Sequence, residues 1–247
     1  MLDETRDFYR KTKLDKALGP PGEEAPITWT KVFYKSYPRL PKIALPKAMP
    51  DGQFGELLES RQSWRDFSKE PVSLEELAPV LLSCRIVDRE RQPERRTYPS
   101  AGARFPVEIY LAAFNVNGLD GGAYHYNIAD ESLELLWKKD LRPYEKELAS
   151  PFLANTAAAL MLTSVMARSE VKYGHKAYPY SLIEAGHMGQ NIQLACTKYG
   201  LGCCPIGGYV NDMVSKILDL TDEEIPIYVL GIGKPCRDSH ANPPDKG

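Results

Sequence analysis

Four short stretches carry residue types that could do chemistry together. Arg61-Gln62-Ser63-Trp64-Arg65 sets two guanidiniums and a hydroxyl at alternate positions, which share one face where the chain is extended. The planar fork of arginine suits a phosphate dianion, and Ser63 adds a further hydrogen bond. Two solvated arginines at a helix end would be spelled the same way. In Tyr98-Pro99-Ser100-Ala101-Gly102-Ala103-Arg104-Phe105-Pro106, two prolines bracket a run of small residues. Such a turn stays out of a central ladder and lets a flat ligand approach its amides, though taken alone it reads as a tight connection. Cys204-Pro205-Ile206-Gly207-Gly208-Tyr209 is a second turn with open backbone, and a plain loop has the same composition. Lys172-Tyr173-Gly174-His175-Lys176-Ala177-Tyr178-Pro179-Tyr180 crowds amines and phenols that can supply an acid or a base, or can form a solvated loop. No GxGxxG or Walker-type loop is present, so a phosphate-bearing cofactor would be held by arginines and turns.

The elements that must position these groups follow from periodicity. Val107 to Phe114 reads as a buried strand after the small-residue turn, with further strands at Ala123–Tyr126, Leu133–Trp137 and Ile225–Gly231. Ala157 to Met166 is too continuously apolar to be half-exposed, and its second half is expected as a central strand. The spacing predicts a long helix over Ser181–Tyr199, closed by Gly200, with Ala185, Gly186, Gly189 and Ala195 as a stripe of small residues suited to a core or a dimer seam. Shorter helices are expected at Phe54–Ser60, after the Ser73-Leu74-Glu75-Glu76 capping box, and from Asp212 to Leu218 with Asn211 as cap. Up to about Gly52 the chain is rich in proline and charge and reads as an extended arm. Its Trp29, Val32, Phe33, Tyr34 and Tyr37 supply apolar surface for docking on a body or a second subunit. Irregular alternation of helices and strands favours one α+β domain over a doubly wound sheet.

Composition bounds the rest. The chain has 247 residues, 43% hydrophobic and 26% charged, enough for one core, and a net charge of -2 gives no reason to expect nucleic acid or an anionic membrane as partner. No window approaches a membrane span and the first residues lack the apolar core of a signal peptide, so a cytoplasmic location is expected. The five cysteines and four histidines show no CxxC or HExxH spacing, and no metal site is expected. Cys84 and Cys196 read as buried thiols, with a redox role for Cys203-Cys204 left open.

In order along the chain, Arg61-x-Ser63-x-Arg65, Pro99-Ser100-Ala101-Gly102, Tyr124-His125-Tyr126, Glu184-Ala185-Gly186-His187-x-x-Gln190-Asn191 and Gly200-Leu201-Gly202-x-Cys204-Pro205-Ile206-Gly207-Gly208 resemble the nitroreductase superfamily. More narrowly, they resemble its SagB-type dehydrogenase branch, which includes azoline oxidases, over about Leu57 to Pro235. The resemblance implies an α+β fold with a central antiparallel or mixed sheet flanked by helices. It also implies a homodimer with FMN at the subunit interface, an arm over 1–52 and one FMN-binding domain over 53–247. Arg61, Ser63 and Arg65 would then hold the phosphate and ribityl end, with Arg237 as a C-terminal phosphate ligand. Pro99, Ser100, Ala101 and Gly102 would line the isoalloxazine, and Pro205, Ile206, Gly207 and Gly208 would cover its other side. Lys172 and Tyr173 fall where azoline oxidases carry a catalytic Lys-Tyr pair. The implied activity is hydride transfer between a small-molecule or modified-peptide substrate and flavin N5. A general NAD(P)H-dependent nitro or quinone reductase, and a scaffold subunit of a biosynthetic complex, are the competing readings. Two departures stand out: Ala103-Arg104-Phe105-Pro106 replaces the branch's Gly-Leu-Tyr-Pro, and Pro179 replaces the arginine before the long helix.

Overall fold

The structure, a computed structural model, describes residues 1–18, 32–46, 52–149 and 151–236. Six strands form its main sheet: β1 (Val107–Ala113), β2 (Gly122–Asn127), β3 (Ser132–Lys138), β4 (Ala158–Val165), β5 (Gly202–Ile206) and β6 (Glu224–Gly233). They lie in the order β3-β2-β1-β4-β6-β5, and every neighbouring pair is antiparallel. Seven helices accompany them among the described residues: α1 (Asp3–Thr12), α2 (Gly52–Ser60), α3 (Leu74–Leu82), α4 (Glu145–Ala149), α5 (Ala167–Tyr173), α6 (Ala177–Lys198) and α7 (Asn211–Leu218). The α+β architecture expected from the sequence is the one observed.

Strand β4 shows why the sheet is covered on both sides. Ala158, Leu160 and Leu162 enter one core with Ala185, Met188, Ile192 and Cys196 of α6 and Leu77, Val80 and Leu81 of α3. Ala159 and Met161 point the other way, into a second core with Leu148 of α4 and Val214, Ile217 and Leu218 of α7. Side chains alternate across a strand, so a run that is apolar at every position is stable only between two layers. Burying each Leu or Met side chain contributes about 1.5–3 kcal/mol, which outweighs any single polar contact at the rim. The strand covers nearly the whole apolar run rather than its second half alone.

Helix α6 begins at Ala177, four residues before the expected start, because Pro179 falls in the first turn, where a missing N–H forfeits no helical bond. Its small residues divide between two faces instead of forming one stripe. Gly189 lies beneath the Tyr228 ring, where a Cβ would come 2.5 Å from the ring, whereas nothing lies within 4 Å of a Cβ on Gly186. The capping box of α3 is formed: Ser73 Oγ accepts from the Glu76 amide (3.2 Å) and Glu76 Oε2 from the Ser73 amide (2.9 Å). Asn211 does not cap α7. It is the helix's first residue, Val210 precedes it as the cap position, and its Oδ1 accepts instead from the Leu14 amide (3.3 Å).

The start of the chain is helical rather than extended. Residues 3–12 contain no Gly or Pro, and Asp3 and Glu4 at one end and Arg10 and Lys11 at the other complement the helix dipole. Phe8 stacks edge-on against Tyr178 (5.8 Å) and Lys13 pairs with Asp212 (2.7 Å). Val32, Tyr34 and Tyr37 are 67%, 87% and 57% exposed, so these three side chains are not buried against the body; Trp29 lies outside the described residues. No described helix is long and apolar enough to cross a membrane.

Candidate functional site

Two clusters of chemically able side chains lie along α6. The first is built on the segment that follows α2. Helix α2 ends at Ser60, and 61–66 continue outside any helix. The Trp64 amide donates to the Cys203 carbonyl on β5 (3.0 Å), and Phe67 bridges antiparallel to Pro235. The segment therefore runs beside β5, where alternation can put Arg61, Ser63 and Arg65 on one side. Arg61 lies within electrostatic reach of Cys203 and Arg65 of Cys204. Arg61 Nη1 also donates to Gln193 Oε1 of α6 (3.4 Å). Among the described residues, neither Arg61 nor Arg65 has a carboxylate partner.

The same strand leads into the glycine turn. Pro205 is half-buried and the Ile206 side chain is in the core, so Ile206 can offer only backbone to a ligand. Nothing lies within 4 Å of a Cβ on Gly207, whereas Gly208 packs under Leu18 and its carbonyl accepts from the Leu18 amide (3.1 Å). Two unneutralised guanidiniums, a hydroxyl and an open glycine turn form a donor set that fits a phosphate monoester. Beyond β6 the Cys236 amide donates to the Asp66 carbonyl (3.1 Å), and Arg237 lies outside the described residues. Cys203 and Cys204 enter opposite cores as free thiols, so they cannot pair with each other. The Cys203 thiol is pushed well up by its contact with Cys196 and by burial.

The second cluster centres on the turn before β1. Gly102, Ala103 and Phe105 have φ of +57°, +51° and +46°. Left-handed backbone at the two non-glycine residues costs about 1–3 kcal/mol each, so neighbours must hold it. The Phe105 amide donates to Ser100 Oγ (2.9 Å) and the Ala103 amide to the Ser100 carbonyl (3.1 Å). Arg104 Nε donates to the Arg168 carbonyl (2.7 Å), and Arg168 returns a bond to the Phe105 carbonyl (3.1 Å) while pairing with Glu108. The Arg96 guanidinium covers the Phe105 ring at 4.0 Å. Beneath the turn lies Glu184 of α6, 2% exposed, with Oε1 unpartnered among the described residues. Burial pushes its carboxyl up to about 7, against the opposing influence of the nearby Ser100 hydroxyl and Val107 amide.

Arg168 also straps α5 to this turn, and α5 ends in Lys172-Tyr173. A Cβ on Gly102 would collide with Tyr173 Oη and lie 2.7 Å from Lys172 Nζ, so the absent side chain is what admits the pair. Lys172 Nζ stands 5.3 Å from the Tyr173 ring centre, and that ring meets Tyr180 edge-on (5.2 Å). Gly102 and Pro99 are exposed, Ser100 and Ala101 half-buried. The structure thus joins two stretches, Pro99–Gly102 and Lys172–Tyr173, that lie about seventy residues apart in sequence.

The two clusters do not meet within one chain. Glu184 and Gln193 are nine positions apart on α6, about 13 Å along the axis. Between them Gly186, His187 and Gln190 face outward, as does Ile183 just before Glu184. Gln193, Arg168 and the buried place of Glu184 were not evident from sequence patterning; only Glu184 leaves a trace, as a lone acid on the apolar side of a helix. The Tyr124-His125-Tyr126 motif belongs to the sheet: the tyrosines enter the core, and His125 sits between Glu108 Oε2 (3.1 Å) and Glu134 Oε2 (2.8 Å). Among the described residues no cluster of His, Cys, Asp and Glu could hold a metal ion.

The sequence over residues 58–234 matches the Nitroreductase family. A Methanocaldococcus jannaschii protein that carries a nitroreductase name is 30% identical over 182 residues, 72% of this chain and 89% of that one. The microcin B17-processing protein McbC of Escherichia coli is 29% identical over 147 residues, 56% of this chain, which spans only 54% of McbC. In fold, a chain of the E. coli microcin synthetase McbBCD complex with truncated pro-MccB17 bound superposes with a TM-score of 0.77, covering 95% of this chain and 94% of that one at 20% identity.

Proposed function

Because the chain belongs to the nitroreductase family, we propose that it is an FMN-dependent oxidoreductase of the SagB type, active as a homodimer on a modified-peptide or small-molecule substrate. The observation that carries the reading is the Lys172–Tyr173 pair lodged against Gly102 on a strained turn. When bound, FMN supplies a two-electron acceptor whose N5 exchanges hydride with the substrate. Arg61, Ser63 and Arg65 would hold the phosphate end, with Arg237 as a further ligand, and backbone of 99–102 and 205–208 would line the ring. The substrate carbon that gives up hydride lies next to one that must lose a proton, as in conversion of an azoline to an azole. Lys172 Nζ and Tyr173 Oη are the atoms placed to take that proton. Gly102 makes this approach close, and the Arg104–Arg168 contacts keep α5 from drifting away.

Pairing of two copies explains why the clusters sit apart. A two-fold axis perpendicular to α6 would make the facing helices antiparallel, so the turn of one copy would come beside the arginines of the other. The outward Ile183, Gly186, His187 and Gln190 supply the seam, and Gly186 permits close contact. Residues 53–247 would then form the FMN-binding domain, with 1–52 as its appendage. The processing role in McbC's name and the bound peptide in the McbBCD complex support a peptide substrate presented by partner proteins.

The nitroreductase name of the M. jannaschii relative favours a second reading, a general NAD(P)H-dependent reductase of nitro compounds or quinones. An absorption spectrum of the purified chain, followed by anaerobic titration with NADPH and by oxygen-uptake assay on an azoline-bearing peptide, separates the two. Slow bleaching by NADPH with rapid peptide-dependent oxygen uptake is expected. Rapid bleaching by NADPH with no response to peptide would establish the second reading. A colourless protein that does not bind added FMN would leave a scaffold.

A further inference from the structure

Arg104 is the one charged residue between Pro99 and Pro106, and it is pinned more firmly than an exposed side chain usually is. Left-handed residues flank it, Ala103 at φ +51° and Phe105 at φ +46°. Its own amide donates to the Ala101 carbonyl (3.3 Å), and its Nε donates to the Arg168 carbonyl (2.7 Å) in the first turn of α5. In an α-helix that carbonyl faces the amide four residues on, here Lys172, so the Arg104 guanidinium sits against the turn of α5 that carries Lys172. Two residues before Arg104, a Cβ on Gly102 would lie 2.7 Å from Lys172 Nζ and collide with Tyr173 Oη. The turn and α5 therefore gather a guanidinium, an amine and a phenol in one small region.

Nothing within the chain neutralises the two cations. Among the described residues, neither Arg104 nor Lys172 has a carboxylate partner. The acids of the neighbouring elements are engaged elsewhere or buried: Glu108 pairs with Arg168 and with His125, Glu170 Oε1 accepts from the Leu2 amide (3.0 Å), and Glu184 is 2% exposed. With Nε held by the Arg168 carbonyl, Arg104 keeps Nη1 and Nη2 as two parallel donors on an end that is already oriented before a ligand arrives. That end of a guanidinium matches the two oxygens of a carboxylate.

We infer that Arg104 is a specificity-determining residue, whose Nη1 and Nη2 receive a carboxylate carried by the substrate on the carbon next to the reacting bond. The inference rests on the proposed function, which puts the substrate beside Gly102, and it narrows that substrate to an acid. Such an acid is either a free small molecule or a peptide whose last residue is the ring to be oxidised. An amide at the same position offers no charge to the guanidinium and is bound less well.

The test uses the FMN-loaded full chain and two probes of nearly equal shape: a phenylthiazoline with a carboxylate on the ring carbon next to the methylene, and its carboxamide. Perturbation of the flavin absorbance gives the affinity of each, and oxygen uptake gives kcat and KM. Wild type should prefer the carboxylate by about 10- to 100-fold in affinity and in KM, the effect of one charge-assisted pair of hydrogen bonds. Arg104→Gln keeps a donor for the Arg168 carbonyl but no charge, and its preference should fall to about onefold with the carboxamide little affected. Arg104→Lys keeps the charge without the parallel donors and should retain part of the preference. A residue that merely held α5 in place would weaken both probes alike and leave their ratio standing. Equal affinity of wild type for the two probes, an unchanged ratio in Arg104→Gln, or a ratio that collapses in Lys172→Ala alone would overturn the inference. A short peptide ending in the same ring, as free acid and as amide, separates the sources: tighter binding of the peptide acid than of the small acid identifies a peptide end, and equal binding a small molecule. If Arg104→Gln does not fold, the wild-type ratio and Arg104→Lys decide. A colourless chain that takes up no FMN would defeat the proposed function and this inference with it, whereas a yellow chain indifferent to the carboxylate would defeat this inference alone.

Discussion

The two ends of α6 present opposite kinds of site. Near Gln193 the functional groups are two long cations on a segment beside a strand edge, without acid partners among the described residues and half or fully open to solvent. Near Glu184 they are short contacts around a strained backbone, held by Ser100 and by the Arg104–Arg168 exchange of hydrogen bonds. The first end has charge to offer and little geometry to protect; the second has geometry that several neighbours must agree on. An anion can be gripped by flexible guanidiniums, because the binding energy lies in the charge-assisted bonds. A proton acceptor must instead be held within bonding reach of one atom, which requires a fixed backbone and a cradle with no side chain in it.

That contrast can be broken from either side. Lys172→Ala is expected to lower turnover by about 10²–10⁴-fold while FMN affinity stays near wild type; stopped-flow reduction by substrate alongside an FMN titration checks both, and unchanged turnover removes the proton-transfer role. Arg61→Ala with Arg65→Ala should do the reverse, costing about 3 kcal/mol or more of FMN binding, a loss of about 100-fold, with the fold intact. Retention of yellow colour through gel filtration by that double variant would move the phosphate site elsewhere. Gly102→Ala sits between them. Its Cβ would meet the mobile ends of Lys172 and Tyr173 rather than backbone, so thermal unfolding should show a loss of about 1–2 kcal/mol, chiefly from φ, while turnover falls by about tenfold or more.

The smallest effect belongs to neither end. His125 is raised above its ordinary 6.5, first by Glu108 and then by Glu134. The histidinium's contribution is full below pH 6.5 and is lost as pH rises through the higher folded value. Since the pair is half exposed and screened, His125→Gln should change the pH dependence of denaturant midpoints by under about 1 kcal/mol and leave turnover alone. A large loss of activity would tie this part of the sheet to the site.

What could be read in the sequence follows the same division. The arginine spacing and the small-residue turn are local patterns that stand where they point, outside helices and at a strand entrance, whereas the Lys-Tyr pair, legible as a crowded loop, closes helix α5 instead. The strands were legible because β1 and β4 are apolar at nearly every position, and a two-sided core leaves few other arrangements. Contacts between distant segments were not. No spacing links Arg104 to Arg168 or Arg61 to Gln193, since each pair is joined by the sheet order rather than by the helix or strand period. Helix ends misled where proline and asparagine have two uses. Pro179 can open a helix as well as precede one, and Asn211 can serve a neighbouring segment instead of its own helix.

We propose that one flavin site is assembled from the cation-rich end of one copy and the strained turn of another. Mixing Arg61→Ala/Arg65→Ala chains with Gly102→Trp chains, after reversible dissociation, tests it most directly. Neither variant alone should bind FMN tightly, whereas each mixed dimer holds one site free of both lesions, so about a quarter of the sites should recover wild-type affinity. Failure of the mixture to bind more FMN than its separate components, with mixed dimers verified by mass spectrometry, would rule out a site shared between copies.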